Sequence, residues 1–246
     1  MKPILPRLPI LISCMGGAAC ALRFFLYLLG TDEKGLLIAG HPLEILLWLL
    51  AAAAAALVLL AVRSQKDIRP YEENFPGNTA AAIGCLLFAA GLAVTTAAGF
   101  PAWTLLEQLR NITGLLALPA LIGVAICRKM GKMPFFALHL TVCLALTLHT
   151  ISHYRTWSSY PQLQDAFFPM IGCLLLMLFT YYQTTVDVSM GSRRMQLGTG
   201  LLAAFCCFAA IPGSSTWLLY LTGGFYTLTN LCTLTTPVTN KEEDDQ

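Results

Sequence analysis

The stretch Phe135–Tyr154, FFALHLTVCLALTLHTISHY, decides how this chain can fold. It is long and apolar enough to cross a bilayer as one helix, since about 20 apolar residues span the hydrocarbon core. At about 100° per residue, five of its polar side chains fall on one side of the helix: His139, Cys143, His149, Thr150 and His153. A polar stripe that faces lipid is costly. We therefore expect this side of the helix to face the protein interior.

The composition of the whole chain excludes an ordinary soluble fold. The 246 residues are 57% hydrophobic and 11% charged, whereas soluble domains carry about 25% charged residues. Apolar runs of about 20 residues recur along the chain. We predict an all-α, polytopic bundle of about eight transmembrane helices, which forms one integral membrane domain over residues 1–246 and contacts the lipid bilayer. No basic patch with interleaved aromatic residues indicates a nucleic-acid partner.

Eight apolar runs define the predicted spans, and polar loops separate them. The acidic segment 237–246 is predicted to be a disordered tail. The predicted spans are Leu8–Leu29, Pro42–Val62, Thr79–Ala98, Ile112–Cys127, Met133–Tyr154, Ala166–Val186, Gln196–Ile211 and Trp217–Thr236. We also expect Asp165 to be the N-cap of span 6.

The segment Pro101–Asn111 has two interpretations. It could begin span 4, or it could be a separate amphipathic helix that lies in the membrane interface. We favour the separate helix, because Glu107 and Arg110 would then lie at the depth of the lipid headgroups.

Lysine and arginine residues predict the orientation of the spans. Of the 15 cationic residues, 11 fall on the side of the two termini, three on the opposite side, and Arg23 within span 1. The positive-inside rule therefore places both termini in the cytoplasm, with the chain in a prokaryotic plasma membrane. A weak match between residues 1–128 and 129–236 suggests a parallel repeat of four spans each.

A second polar stripe lies on span 8. Its members step by three or four residues and so share one helical face: Thr222, Tyr226, Thr229, Thr233 and Thr236. With the stripe of span 5, this face predicts a polar cavity that binds or transports a small solute or cation. Arg23 and Glu44 would lie near its outer mouth. Alternatively, the threonine hydroxyls bond to carbonyls of their own helix or join neighbouring helices.

His149 and His153 are one helical turn apart, the spacing at which two imidazoles can bind one metal ion. A third ligand would have to come from another outer segment: Glu44, His41, Asp165 or Glu107. The pair could instead handle protons or cations, since imidazole titrates near neutral pH, or it could do no chemistry.

Three functions stay open from the sequence. The first is the binding or transport of a small solute or cation. The second is a non-catalytic membrane subunit with membrane-protein partners. Its packing seams would resemble that of span 3, where Ala80, Gly84, Gly91 and Thr95 repeat at small-residue spacing. The third is an intramembrane metal-dependent or acid–base enzyme at the outer face. The chain has no Walker, GxGxxG or GxSxG motif, and no particular cofactor is implied.

Overall fold

The computed structural model describes residues 8–32, 36–38, 40–63, 77–102, 104–158, 163–188 and 190–232. Within these ranges the chain forms eight α-helices and no β-strand, which confirms the predicted all-α class. A short 3-10 turn, Leu163–Ala166, precedes the sixth helix. The helices are α1 (Leu8–Leu29), α2 (Pro42–Arg63), α3 (Thr79–Ala98), α4 (Leu105–Met130), α5 (Phe136–Trp157), α6 (Phe167–Asp187), α7 (Arg193–Ala210) and α8 (Trp217–Cys232).

Six helices, α1 to α6, are long and apolar enough to cross a membrane. The other two helices, α7 and α8, do not reach this combination of length and apolarity, for local reasons. α7 begins with Arg193 and Arg194, and α8 has 16 residues in the described part of the chain. The chain is therefore a helical, multi-pass membrane protein, and the crossing of the bilayer by α7 and α8 stays a prediction.

The start of α4 contradicts the predicted interfacial helix at Pro101–Asn111. α4 runs without interruption from Leu105 to Met130. The Thr104 hydroxyl accepts the N–H of Glu107 at 3.3 Å, and the Glu107 carboxylate accepts the N–H of Thr104 at 3.0 Å. This capping box satisfies the first amides of a helix. The interfacial interpretation failed because Glu107 marks the first turn of the spanning helix, and not a separate surface helix.

The helices α3 to α8 form a closed ring in chain order. Each packs against the next, and α8 packs back against α3. α1 and α2 pack against each other and against α7. Inside the ring, Tyr226 stacks on Phe88 with ring centroids 5.0 Å apart and meets Phe179 edge-on at 5.7 Å. At this level the interior is a packed core and not an open pore.

The predicted seam of small residues on α3 is confirmed at two positions, where it packs against the threonine face of α8. A Cβ added at Gly84 would overlap the Thr229 hydroxyl, and one at Gly91 would overlap the Thr222 hydroxyl. Both hydroxyls donate to carbonyl oxygens one turn earlier in α8, at 2.9 and 2.7 Å respectively. Small residues of this kind let the backbones of membrane helices approach closely.

The outward surface of the bundle carries large apolar side chains on several helices. Exposed surface of this kind is unfavourable in water but suits contact with lipid chains, which are equally apolar. Examples are Phe24, Leu60, Ile83, Leu116 and Leu144. The bundle therefore has the surface of a protein embedded in a bilayer.

Candidate functional site

Four helices bring ionisable and amide side chains together at the end of the ring that we predict to be cytoplasmic. Each of these side chains belongs to a residue that is at most 3% exposed. The group is Arg128 of α4, His139 of α5, Gln183 and Asp187 of α6, and Gln196 of α7. We call these five residues the Asp187 cluster.

Asp187 is the centre of the cluster. Its two carboxylate oxygens accept hydrogen bonds from Arg128 Nη2 at 2.8 and 2.9 Å. Its Oδ2 lies 3.0 Å from His139 Nε2, and its Oδ1 accepts a bond from the Gln183 amide at 3.1 Å. The Gln183 carbonyl oxygen accepts a bond from Gln196. A buried charge needs such partners to offset its lost hydration, and Asp187 has them on three helices.

The position of the His139 proton follows from its neighbour. An ionised carboxylate only accepts hydrogen bonds, so His139 must carry its proton on Nε2, the atom that faces Asp187. The other ring nitrogen, Nδ1, is buried and has no hydrogen-bond partner. With His139 neutral, the charges of Arg128 and Asp187 cancel.

Helical phase explains why two charged residues lie inside the bundle. Arg128 follows the buried residues Leu121 and Val124 by seven and four positions, and Asp187 follows Thr180 and Gln183 by the same steps. The predicted spans 4 and 6 end at Cys127 and Val186, one residue before Arg128 and Asp187. In the structure, α4 and α6 extend to Met130 and Asp187. Extending the helical pattern of buried positions to the ends of α4 and α6 predicts that both residues face the interior.

The polar stripe of α5 contributes side chains to two separate regions of the bundle. His139 and His149 are both buried, as predicted, but they are ten residues apart, about 15 Å along a helix. At the opposite end of α5, the rings of His149 and His153 lie 4.3 Å apart between centroids. His149 Nε2 is buried without a hydrogen-bond partner. The Thr150 hydroxyl donates to a carbonyl of its own helix at 2.8 Å.

The structure does not complete the metal site that the spacing of His149 and His153 suggested. In the ranges it describes, no three His, Cys, Asp or Glu residues are grouped so that they could hold a metal ion. The metal-binding hypothesis therefore has two ligands in those ranges and stays a prediction.

Arg110 ties the start of α4 to the end of α5 beside these histidines. Its Nη1 donates to Ser152 Oγ at 3.2 Å. Its Nε and Nη2 donate to Asn111 Oδ1 at 3.2 and 3.1 Å. Asn111 in turn donates to the Gly99 carbonyl at 3.0 Å. This chain of bonds fixes the guanidinium of Arg110 at the rim of the bundle.

Arg23 joins α1 to two other segments. Its guanidinium donates to the Ala209 carbonyl and to the Tyr27 hydroxyl, each at 3.0 Å, and to the Asp165 carbonyl. It also lies 5.5 Å from the ring centroid of Phe168, within the range of a cation–π contact. Backbone carbonyls, a phenol hydroxyl and an aromatic ring therefore surround the Arg23 guanidinium.

One further prediction for the outer end, the N-cap of span 6, differs from the structure. Asp165 is not the N-cap of α6, because it lies in the 3-10 turn and Ala166 takes that position without a side-chain cap. Burial raises the pKa of the Asp165 carboxyl, and the charge of Arg23 opposes this rise. Glu44 accepts the Gly40 N–H at 3.1 Å at the start of α2.

The predicted site residues of span 8 occupy different surroundings. Thr222 and Thr229 face the glycines of α3, so they do not join the histidine stripe of α5. Tyr226 is fully buried in the aromatic core. Thr233 lies outside the described residues. The alternative, in which hydroxyls bond within their helix and join neighbouring helices, is confirmed for Thr222 and Thr229.

Comparisons with known proteins add no relative, since the chain matches no protein-family model, no curated protein and no solved structure.

Proposed function

We propose that this protein binds or transports a small solute or cation across a prokaryotic plasma membrane, with the Asp187 cluster closing its cytoplasmic side. The observation that carries the proposal is the fully buried ion pair between Arg128 and Asp187, held by polar groups from four helices. Ionisable residues inside membrane bundles are rare, and they typically mark ion paths, proton relays or substrate sites.

Stability alone gives little reason for such a cluster. A buried ion pair is often no more stabilising than apolar side chains of similar volume, because both charges must leave water. Arg128 and Asp187 are 3% and 1% exposed, so both have lost nearly all of their hydration. A functional role, in which the pair opens and closes, explains why charges are used at this place.

The Asp187 carboxylate gives the cluster a way to respond to cations. A cation that approached Asp187 would compete with Arg128 for the carboxylate. This competition weakens the link between α4 and α6 and favours a conformation in which this end of the ring is open.

The test uses purified protein in liposomes, with a panel of alkali and divalent cations and small polar solutes. Flux is followed with an internal pH dye and by solute-evoked currents, with and without a pH gradient. We expect at least one member of the panel to give a flux that is lost in Asp187→Asn. Arg63→Gln, which removes an exposed cation at the end of α2, should behave as wild type.

Two results would overturn the proposal. One is a folded Asp187→Asn protein, verified by circular dichroism and size-exclusion chromatography, that keeps the wild-type flux. The other is a wild-type protein that moves no member of the panel, which would favour the non-catalytic membrane subunit.

A further inference from the structure

A cleft opens between the start of α4 and the end of α5, at the end of the ring opposite the Asp187 cluster. Its volume is about 220 Å³, and its lining consists of Thr104, Leu106, Glu107, Ser152 and Arg155. At about 30 Å³ per water molecule, this space holds roughly seven waters. It is smaller than the pockets of about 300–1,000 Å³ that take drug-sized ligands, so it suits a small polar group.

The lining of the cleft carries charges of both signs. Glu107 is held in place by the capping box, in which its Oε2 accepts the Thr104 N–H at 3.0 Å. Arg155 supplies a guanidinium from the last turn of α5. Ser152 and Arg155 are three residues apart and so lie on the same side of their helix. The Glu107 carboxylate belongs to the other helix.

A second guanidinium supports the positive side of the cleft. Arg110 donates from Nη1 to Ser152 Oγ, and Ser152 is only 8% exposed. The three hydrogen bonds of Arg110 to Ser152 and Asn111 use three of its five N–H groups. The wall formed by Ser152 is thus held in place by a partly buried network that also brings positive charge.

We propose that this cleft binds a zwitterion, with the ammonium group at Glu107 and the phosphate or carboxylate group at Ser152 and Arg155. A simple anion would be repelled by Glu107, and a simple cation would be repelled by Arg110 and Arg155. A ligand with both charges complements both walls. Phosphatidylethanolamine headgroups and free amino acids share this chemistry. The proposal rests on the cleft alone and does not require the Asp187 cluster to act in transport.

The test measures the melting temperature of the detergent-purified protein during titration with glycerophosphoethanolamine, glycine or inorganic phosphate. We expect a saturable rise in melting temperature with at least one zwitterion and a much smaller one with phosphate. Arg155→Gln should weaken binding of that zwitterion at least tenfold. Arg63→Gln serves as the matched loss of an exposed cation and should leave the affinity unchanged.

Glu107→Gln makes the test specific for charge. Glutamine can replace glutamate in a capping box, so α4 should keep its start while the cleft loses its carboxylate. The variant should bind the zwitterion at least tenfold more weakly and bind inorganic phosphate more tightly than wild type does. A melting temperature close to that of the unliganded wild type would verify that the fold is kept.

The two sources of the ligand are separated in nanodiscs of phosphatidylethanolamine or of phosphatidylglycerol. If the lipid is the ligand, native mass spectrometry should show retained phosphatidylethanolamine that Arg155→Gln loses and free glycine does not displace. If the ligand is free, glycine should stabilise the protein in both nanodiscs. The proposal is wrong if phosphate stabilises wild type as well as the zwitterions do, or if both charge variants bind within twofold of wild type.

Discussion

Replacing Asp187 with leucine should destabilise the bundle by about 3–5 kcal/mol, because it leaves the Arg128 guanidinium buried without its counter-ion. The structure indicates where this free energy comes from. The carboxylate accepts hydrogen bonds from Arg128, His139 and Gln183, and a buried donor that loses its acceptor costs about 1–3 kcal/mol. The charged donor dominates, since Arg128 is only 3% exposed.

The double variant Arg128→Met/Asp187→Leu should be more stable than Asp187→Leu alone. It removes the unpaired charge and leaves only the neutral donors of His139 and Gln183 without an acceptor. We expect a coupling free energy of about 2 kcal/mol or more between the two positions, which is large for a neighbouring pair. The Arg128–Asp187 pair alone accounts for the sign of this coupling free energy.

The assay is unfolding by SDS in mixed micelles, followed by far-ultraviolet circular dichroism, with the slope of the transition checked for two-state behaviour. Arg63→Met, at an exposed position, should change the free energy of unfolding by less than about 0.5 kcal/mol. If Asp187→Leu costs less than about 1 kcal/mol, or if the double variant costs the sum of the two single variants, water reaches the pair and the reasoning about its burial is wrong.

Three further predictions concern other parts of the bundle, each measured by thermal or SDS unfolding. Gly84→Ala should lower the free energy of unfolding by about 1–3 kcal/mol by overpacking, and Thr229→Ala should rescue it. Gly17→Ala is the control, because its new Cβ meets nothing within 4 Å; equal effects of the two glycine changes would contradict the seam. Burial raises the pKa of the Asp165 carboxyl above its ordinary value of 3.8. The stability contributed by the protonated carboxyl is therefore fully present below about pH 3.8 and is lost as the pH rises through the folded-state pKa. Asp165→Asn should abolish this pH dependence, and an unchanged pH profile in that variant would refute the prediction. Arg23→Lys should lower the melting temperature nearly as much as Arg23→Met, since one ammonium cannot reproduce the three bonds of the guanidinium fork; full rescue by lysine would show that charge alone suffices.

The fold class could be predicted from the sequence because the length and apolarity of a segment decide whether it spans a bilayer. The bounds of α1 and α3 coincide with the predicted spans. The arrangement of the helices could not be predicted in the same way. Residues that face lipid are as apolar as those in the core, so hydropathy does not tell the lipid-facing side of α2 from the side that packs against α7.

The candidate site, too, could be predicted from the sequence only in part. The inward orientation of His139 could be predicted, because it lies on a polar stripe of an apolar helix. Its partners could not, because Arg128 and Asp187 are 59 positions apart and each lies at a helix end, where a charge is expected in a loop. The threonines of α8 misled for the opposite reason, since a regular polar face also forms where hydroxyls bond within their own helix.

The closure of the ring also sets the order in which the protein can be assembled as it is synthesised. Contacts from α3 to α7 join helices that leave the ribosome one after another, but the glycine face of α3 has to wait for α8. At about 5–20 residues per second, this delay is on the order of ten seconds. The Arg128–Asp187 pair needs only α4 and α6, so its charges can be neutralised before α8 is synthesised.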